Sequence, residues 1–390
     1  MRILRHLAIF LATILSSPSA HAQPPGSQVA LPAPTGPHGI GRIGFTVDDP
    51  VRREIFTPDP SDTRRFPVWV YYPSAAGGCA PHAYFPPELG AAYSASFGLR
   101  SGFEQSVLAH HCVGTRIAAD KARYPVILFS HGLGNTHLSY LSIIEDLVSH
   151  GNIVIAADHT HGPSLTYFPD GSSVKRDSNR FGASGDPGYF QRAMIEHSRF
   201  WAEDMSRALE RIVGGEVAQL PRTIRTRMDL DRVVYFGHSY GGLAAVHAAR
   251  VDSRIKGAVN LDGLVMNRYA VPVTADVPLL VLNSEKRDET GTYMPAARVI
   301  SVRGSHHSTF ADLQWLSDHF ATQQPPQQPA LTGLYSIQMT REVLRLFLGC
   351  VLERRCEALD DKLKQIRLVR PAASPAPVAP EDRPSGSSPG

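Results

Sequence analysis

The sequence predicts an α/β fold: a mainly parallel central sheet with helices on both faces. Three observations carry that prediction. Short runs rich in β-branched and aromatic residues recur from residue 66 onward. Amphipathic stretches with helical spacing alternate with them. Several of the runs are apolar at every position, as in strands covered on both faces.

Each element follows from its own pattern. Residues 68–72 (Val-Trp-Val-Tyr-Tyr) read as a strand ending at Pro73. The continuous apolar run 125–129 is a buried strand. Leu138, Leu141, Ile144, Leu147 and Val148 then recur at helical spacing, and Gly151 follows as a helix-terminating residue. Residues 153–157 form the next buried strand. A longer helix is predicted near 190–213, with Phe200, Trp201, Met205, Leu209 and Ile212 on its apolar face. Strands at 232–236, 255–260, 279–282 and 298–302 alternate with helices at 241–249, 309–320 and 334–348. Segments 75–120 and 160–190 interrupt the alternation and read as insertions or loops that cover a site.

The two ends differ from this core. Residues 1–22 combine a basic start, an apolar run over 7–15 and a small-residue site at Ala20-His21-Ala22, the pattern of a cleaved secretory signal. Residues 23–38 read as a flexible Pro-rich leader and 371–390 as a disordered Pro-rich tail, leaving 39–370 as one folded domain. Export implies an oxidising compartment, where the four cysteines can pair; the pairs near in sequence are Cys79 with Cys112 and Cys350 with Cys356. A net charge of +3 lacks the basic footprint of a nucleic-acid binder.

The chemistry concentrates in three loops. Gly237-His238-Ser239-Tyr240-Gly241-Gly242 is a G-x-S-x-G placed between a strand and a helix, the nucleophile elbow of the α/β-hydrolase fold. Ser239 is the candidate nucleophile, with small neighbours at the bend and a helix N-terminus behind it. Ser130-His131-Gly132-Leu133-Gly134 ends an earlier strand, where the backbone N–H of Leu133 can join that of Tyr240 in an oxyanion hole. A serine needs a base, and His306 and His307 lie in a loop after a predicted strand; spacing alone does not choose between them. His247 and His319 fall inside predicted helices. The acid that orients the base is Asp262, Glu285 or Asp288 by fold position, with Asp276 disfavoured because it precedes its strand. The stretch Asp158-His159-Thr160-His161 raises a zinc site, but a serine nucleophile needs none, and neither metal nor cofactor is expected.

On these blocks the chain resembles the secreted and bacterial platelet-activating factor acetylhydrolases. The resemblance runs through Val-Tyr-Tyr-Pro-Ser at 70–74, Phe-Ser-His-Gly-Leu-Gly at 129–134 and Gly-His-Ser-Tyr-Gly-Gly at 237–242. It continues through Asn-Leu-Asp-Gly at 260–263, Asn-Ser-Glu at 283–285 and Arg-Gly-Ser-His-His-Ser-Thr-Phe-Ala-Asp at 303–312. It implies Asp262 as the acid, His307 as the base and the Leu133 and Tyr240 amides as the oxyanion hole. His306 stands at a position that varies in the family. The ends and segments 75–120 and 160–190 fall outside the resemblance. It further implies a serine carboxylester hydrolase acting on short or oxidised sn-2 acyl phospholipid esters, with transient contact to a lipid surface. The alternative is a cutinase-like, polyester-directed or general short-chain esterase. A non-catalytic binding protein of the same fold is the reading from another class.

Overall fold

The computed structural model describes residues 28–75, 79–80, 82–177, 189–263, 277–286, 297–323 and 330–367. Among them, nine strands form one sheet. In chain order these are β1 (Gly39–Arg53), β2 (Thr63–Ser74), β3 (Cys112–Val113), β4 (Tyr124–Ser130) and β5 (Ile153–Ala157). Then come β6 (Met228–His238), β7 (Ile255–Leu261), β8 (Leu279–Asn283) and β9 (Ala297–Ser301). Their order across the sheet is β9-β8-β7-β6-β4-β5-β2-β1-β3. From β5 to β9 all neighbours are parallel, and β2 runs antiparallel to both β5 and β1.

The apolar runs explain this sheet. Alternate residues of a strand face opposite sides. Ile127, Phe129, Val234, Phe236 and Val259 therefore join one core, while Val126, Leu128, Val233, Tyr235 and Ala258 join the other. Helices α2 (Leu141–Ser149) and α6 (Gly333–Glu353) cover the first face. Helices α3 (Tyr189–Gly214) and α4 (Tyr240–Val251) cover the second, through Trp201, Met205, Leu209 and Ile212 of α3 and the alanines of α4.

Several expectations need correction. Strand β1 has no counterpart in the sequence reading, because its glycines and Pro50 break the alternation of Ile43, Phe45 and Val47. It forms by pairing with β2 along nearly its whole length. The helix expected over 309–320 is two pieces, a 3₁₀ turn at His307–Phe310 and α5 (Leu313–Phe320), with Ala311 extended between them. The break lets the buried Asp312 carboxylate accept from the Ser142 amide at 3.0 Å. Helix α7 (Glu357–Ile366) was not foreseen. From residue 28 onward the stretch expected as flexible leader is fastened to the domain. Leu31 is buried, the Pro32 and Ala33 carbonyls accept from Arg341, and Thr35 donates to Asp146.

Cysteines pair as expected, Cys79 with Cys112 and Cys350 with Cys356. Both irregular segments meet the loop after β4. From the first, α1 (Pro87–Phe97) places the Tyr93 hydroxyl 2.7 Å from the Thr136 amide. From the second, which carries a hairpin of Leu165–Tyr167 with Ser173–Lys175, Pro163 bridges to Gly134. No helix of the described residues is long and apolar enough to cross a membrane.

Candidate active site

Strand β6 ends at His238, and α4 begins at Tyr240. Between them Ser239 takes φ 55° and ψ −117°, a left-handed backbone that L-residues adopt only under constraint. The constraint is the close crossing of chains. A Cβ at Gly237 would lie 2.3 Å from the Gly241 carbonyl oxygen, and one at Gly241 would lie 2.1 Å from that of Ser130. Neither position admits a larger residue. Gly242 leaves the same kind of room for Asn260 Oδ1. The Ser239 amide donates to the Leu261 carbonyl (2.9 Å), which ties the bend to the end of β7.

Directly after β7, Asp262 also has positive φ, at 52°. Asn260 shapes that turn by accepting from the Gly263 amide at 2.7 Å. One Asp262 oxygen accepts from the Ser284 amide (2.8 Å); the other lies 2.6 Å from His307 Nδ1. A carboxylate only accepts, so Nδ1 carries the hydrogen, and in the neutral ring Nε2 keeps its lone pair. Asp262 is fully buried, while the His307 side chain is 42% exposed.

The structure thus brings Asp262 and His307 together and gives the other candidates different work. His306 Nδ1 accepts from the Ser308 amide, and its own amide donates to Thr309 Oγ1, so it caps the 3₁₀ turn that carries His307. Glu285 accepts from the Gly304 amide at 2.5 Å and holds the same loop from below. His319 donates to the Trp315 carbonyl within α5. Asp276 and Asp288 lie outside the described residues.

The loop after β4 comes close to the bend: a Cβ on Gly132 would lie 3.2 Å from that of Ser239. Residues 132–135 form a tight turn closed by Asn135 N–H to Gly132 O (3.1 Å), with Gly134 at φ 89°. The Leu133 amide donates to no protein group among the described residues. A chain of donors joins this turn to the other loops. Gly132 N–H donates to the Tyr140 hydroxyl (3.1 Å), which lies 2.7 Å from His238 Nδ1; His238 Nε2 donates to the His307 carbonyl at 2.9 Å. In a neutral His238 ring, Nε2 carries the hydrogen and Nδ1 accepts from the Tyr140 hydroxyl. Tyr140 and the linking role of His238 escaped the sequence reading, since Tyr140 sits ten residues beyond the strand and resembles any core tyrosine.

The Asp158-His159-Thr160-His161 stretch is engaged elsewhere. Asp158 accepts from the amide and ring of His137, and His159 pairs with Asp204 at 2.8 Å. Among the described residues no three His, Cys, Asp or Glu side chains are grouped as a metal site would need.

Comparison with known proteins agrees with this architecture. The family model described as Alpha/beta hydrolase family matches residues 126–383, well over half of the chain. The chain belongs to the α/β-hydrolase family. A second model, Platelet-activating factor acetylhydrolase, isoform II, matches residues 27–209. The platelet-activating factor acetylhydrolase of Bos taurus is 30% identical over 222 residues, 49% of this chain and 48% of the relative. That of Gallus gallus is 24% identical over 332 residues, 74% of this chain and 75% of the relative. The match thus spans about half the length of the bovine relative. A solved ferulic acid esterase from Streptomyces cinnamoneus superposes with a TM-score of 0.68 at 25% identity, covering 89% of this chain and 97% of that one. The resemblance drawn from the sequence blocks and the fold class are both upheld by these matches.

Proposed function

We propose that the protein is an exported carboxylic ester hydrolase that works through an acyl-enzyme on Ser239. The observation that carries this reading is the 2.6 Å contact of Asp262 with His307 Nδ1, in the same site as a serine held at positive φ. Ser239 Oγ attacks the ester carbonyl carbon while His307 Nε2 takes the hydroxyl proton. Asp262 orients the imidazole and stabilises its cation. Backbone N–H groups of Leu133 and Tyr240 receive the negative oxygen of the tetrahedral intermediate. Its collapse expels the alkoxide, which takes the proton from His307. Water, activated by the same histidine, then releases the acid and restores Ser239. Two disulfides support passage through an oxidising compartment.

The proposed substrates are short-acyl esters, with an sn-2 acetyl phospholipid as the type compound. The named activity of the acetylhydrolase relatives supports this class. The coverage of the ferulic acid esterase favours a second reading, a small-ester hydrolase without lipid preference. Rates on an ester series from two to sixteen carbons, an sn-2 acetyl phospholipid and a feruloyl ester test both. The first reading predicts a steep fall beyond short acyl groups and strong turnover of the phospholipid. A flat profile would contradict it.

A further inference from the structure

A second Ser-His-Asp constellation lies behind the candidate oxyanion loop. His159 Nε2 is 2.7 Å from Ser130 Oγ, and His159 Nδ1 is 2.8 Å from Asp204 Oδ2. All three residues are fully buried. Asp204 is held by Arg64, through Nη2 at 2.6 Å and Nε at 3.0 Å, and by Arg52 at 2.8 Å. Tyr235 completes the chain at 2.6 Å from Ser130 Oγ.

The protons along this chain have one consistent arrangement. Asp204 only accepts, so His159 Nδ1 carries a hydrogen. Burial disfavours the imidazolium and lowers the His159 pKa, so Nε2 accepts from the Ser130 hydroxyl. The Ser130 oxygen in turn accepts from Tyr235. Ser130 is fully buried between His159 and Tyr235, so a substrate cannot reach its oxygen. The chain continues through the backbone: the His159 amide donates to His131 Nε2 at 3.0 Å. His131 Nδ1 therefore holds its hydrogen and donates it to the Gly132 carbonyl at 2.8 Å. Burial pushes the His131 pKa down to about 3, which keeps this neutral tautomer.

The Gly132 carbonyl and the Leu133 N–H belong to one planar peptide and point in opposite directions. Two donors, His131 Nδ1 and the Asn135 amide, grip the carbonyl end. The N–H end is thereby aimed away from them. We infer that His131 is a positioning residue that aims the Leu133 amide at the substrate oxyanion, and that the sealed Ser130–His159–Asp204 chain holds His131 in place. The inference rests on the reading of Leu133 as an oxyanion donor.

The test uses the full protein, a short-chain ester and a trifluoromethyl ketone analogue. The ketone adds to Ser239: the Oγ–carbon bond forms, the carbonyl π bond breaks onto oxygen, and the hydroxyl proton passes to His307. Losing an oxyanion donor typically costs about 10²–10³ in rate, so His131→Leu is expected to lower kcat by about that factor with KM little changed. Ketone affinity is expected to fall in parallel with kcat/KM. His131→Asn, whose amide nitrogen can reach the place of Nδ1, is expected to recover most of both. Equal effects of Leu and Asn, or ketone affinity that stays constant while kcat falls, would overturn the inference. If His131→Leu does not fold, Ser130→Ala and His131→Asn carry the same comparison of ketone affinity against kcat/KM. A wild-type protein that neither turns over the ester nor binds the ketone would defeat the active-site reading itself.

Discussion

The Ser239–His307–Asp262 site and the Ser130–His159–Asp204 chain use the same three residue types within one domain. In the first, the serine sits on a strained bend at positive φ, and the histidine is 42% exposed. In the second, the serine ends a regular strand, its oxygen is shared with Tyr235, and His159 stacks on the Trp201 ring at 4.4 Å. The second acid also carries a different load. Burial pushes the Asp204 pKa upward, but Arg64, His159 and Arg52 together outweigh it and hold it well below the usual carboxylate range. The contrast teaches that a hydrogen-bonded trio does not make a nucleophile. Access and backbone strain separate a reactive centre from a brace.

Substitutions can break or sharpen that contrast. The largest expected effect is on Ser239→Ala, which should lower ester turnover by about 10⁴–10⁶-fold, as removing a nucleophile does in comparable sites. Ser130→Ala should leave turnover within about two orders of magnitude, because it weakens the aim of one donor only. Steady-state kinetics on p-nitrophenyl acetate separates the two. For the acids the roles cross. Asp262→Asn should lower kcat by about 10⁴-fold with little change in melting temperature. Asp204→Asn removes the carboxylate shared by Arg64 and Arg52, leaving Arg64 with Glu54 and Arg52 with Glu203, and should cost about 3 kcal/mol of stability, read from urea unfolding.

The same pair differs in pH response. A carboxylate with a depressed folded pKa stabilises the fold above its unfolded pKa and loses that contribution as pH falls through the folded value. The stability gap between wild type and Asp204→Asn should therefore be constant above about pH 5, where the unfolded carboxylate is ionised, and shrink below it. A gap that widens on acidification would contradict the pairing with Arg64. The smallest effect is expected at His306→Ala, which removes a turn cap worth about 1 kcal/mol and should keep most of the turnover. A loss equal to that of His307→Ala would move the base by one residue.

Much of this was legible in the residues themselves. The parallel strands announced themselves because continuous apolar runs have few other solutions, and the elbow because its glycines answer a steric demand. Asp262 was not separable from Glu285 and Asp288 by position, since each follows a parallel strand; the turn made by Asn260 and Gly263 is what turns Asp262 toward His307. Strand β1 was hidden because its pairing with β2, not its own pattern, makes it a strand. The sealed chain was hidden for a related reason. Ser130, His159 and Asp204 come from β4, the loop after β5 and α3, and no sequence spacing links them. His159 did stand out in the Asp-His-Thr-His stretch, but histidines near a strand end suggest a metal as readily as a brace.

The most direct test maps the covalent adduct of a fluorophosphonate on the intact protein by peptide mass spectrometry. A single adduct is expected on Ser239, absent in Ser239→Ala and retained in Ser130→Ala. An adduct on Ser130, or none on folded protein, would contradict it.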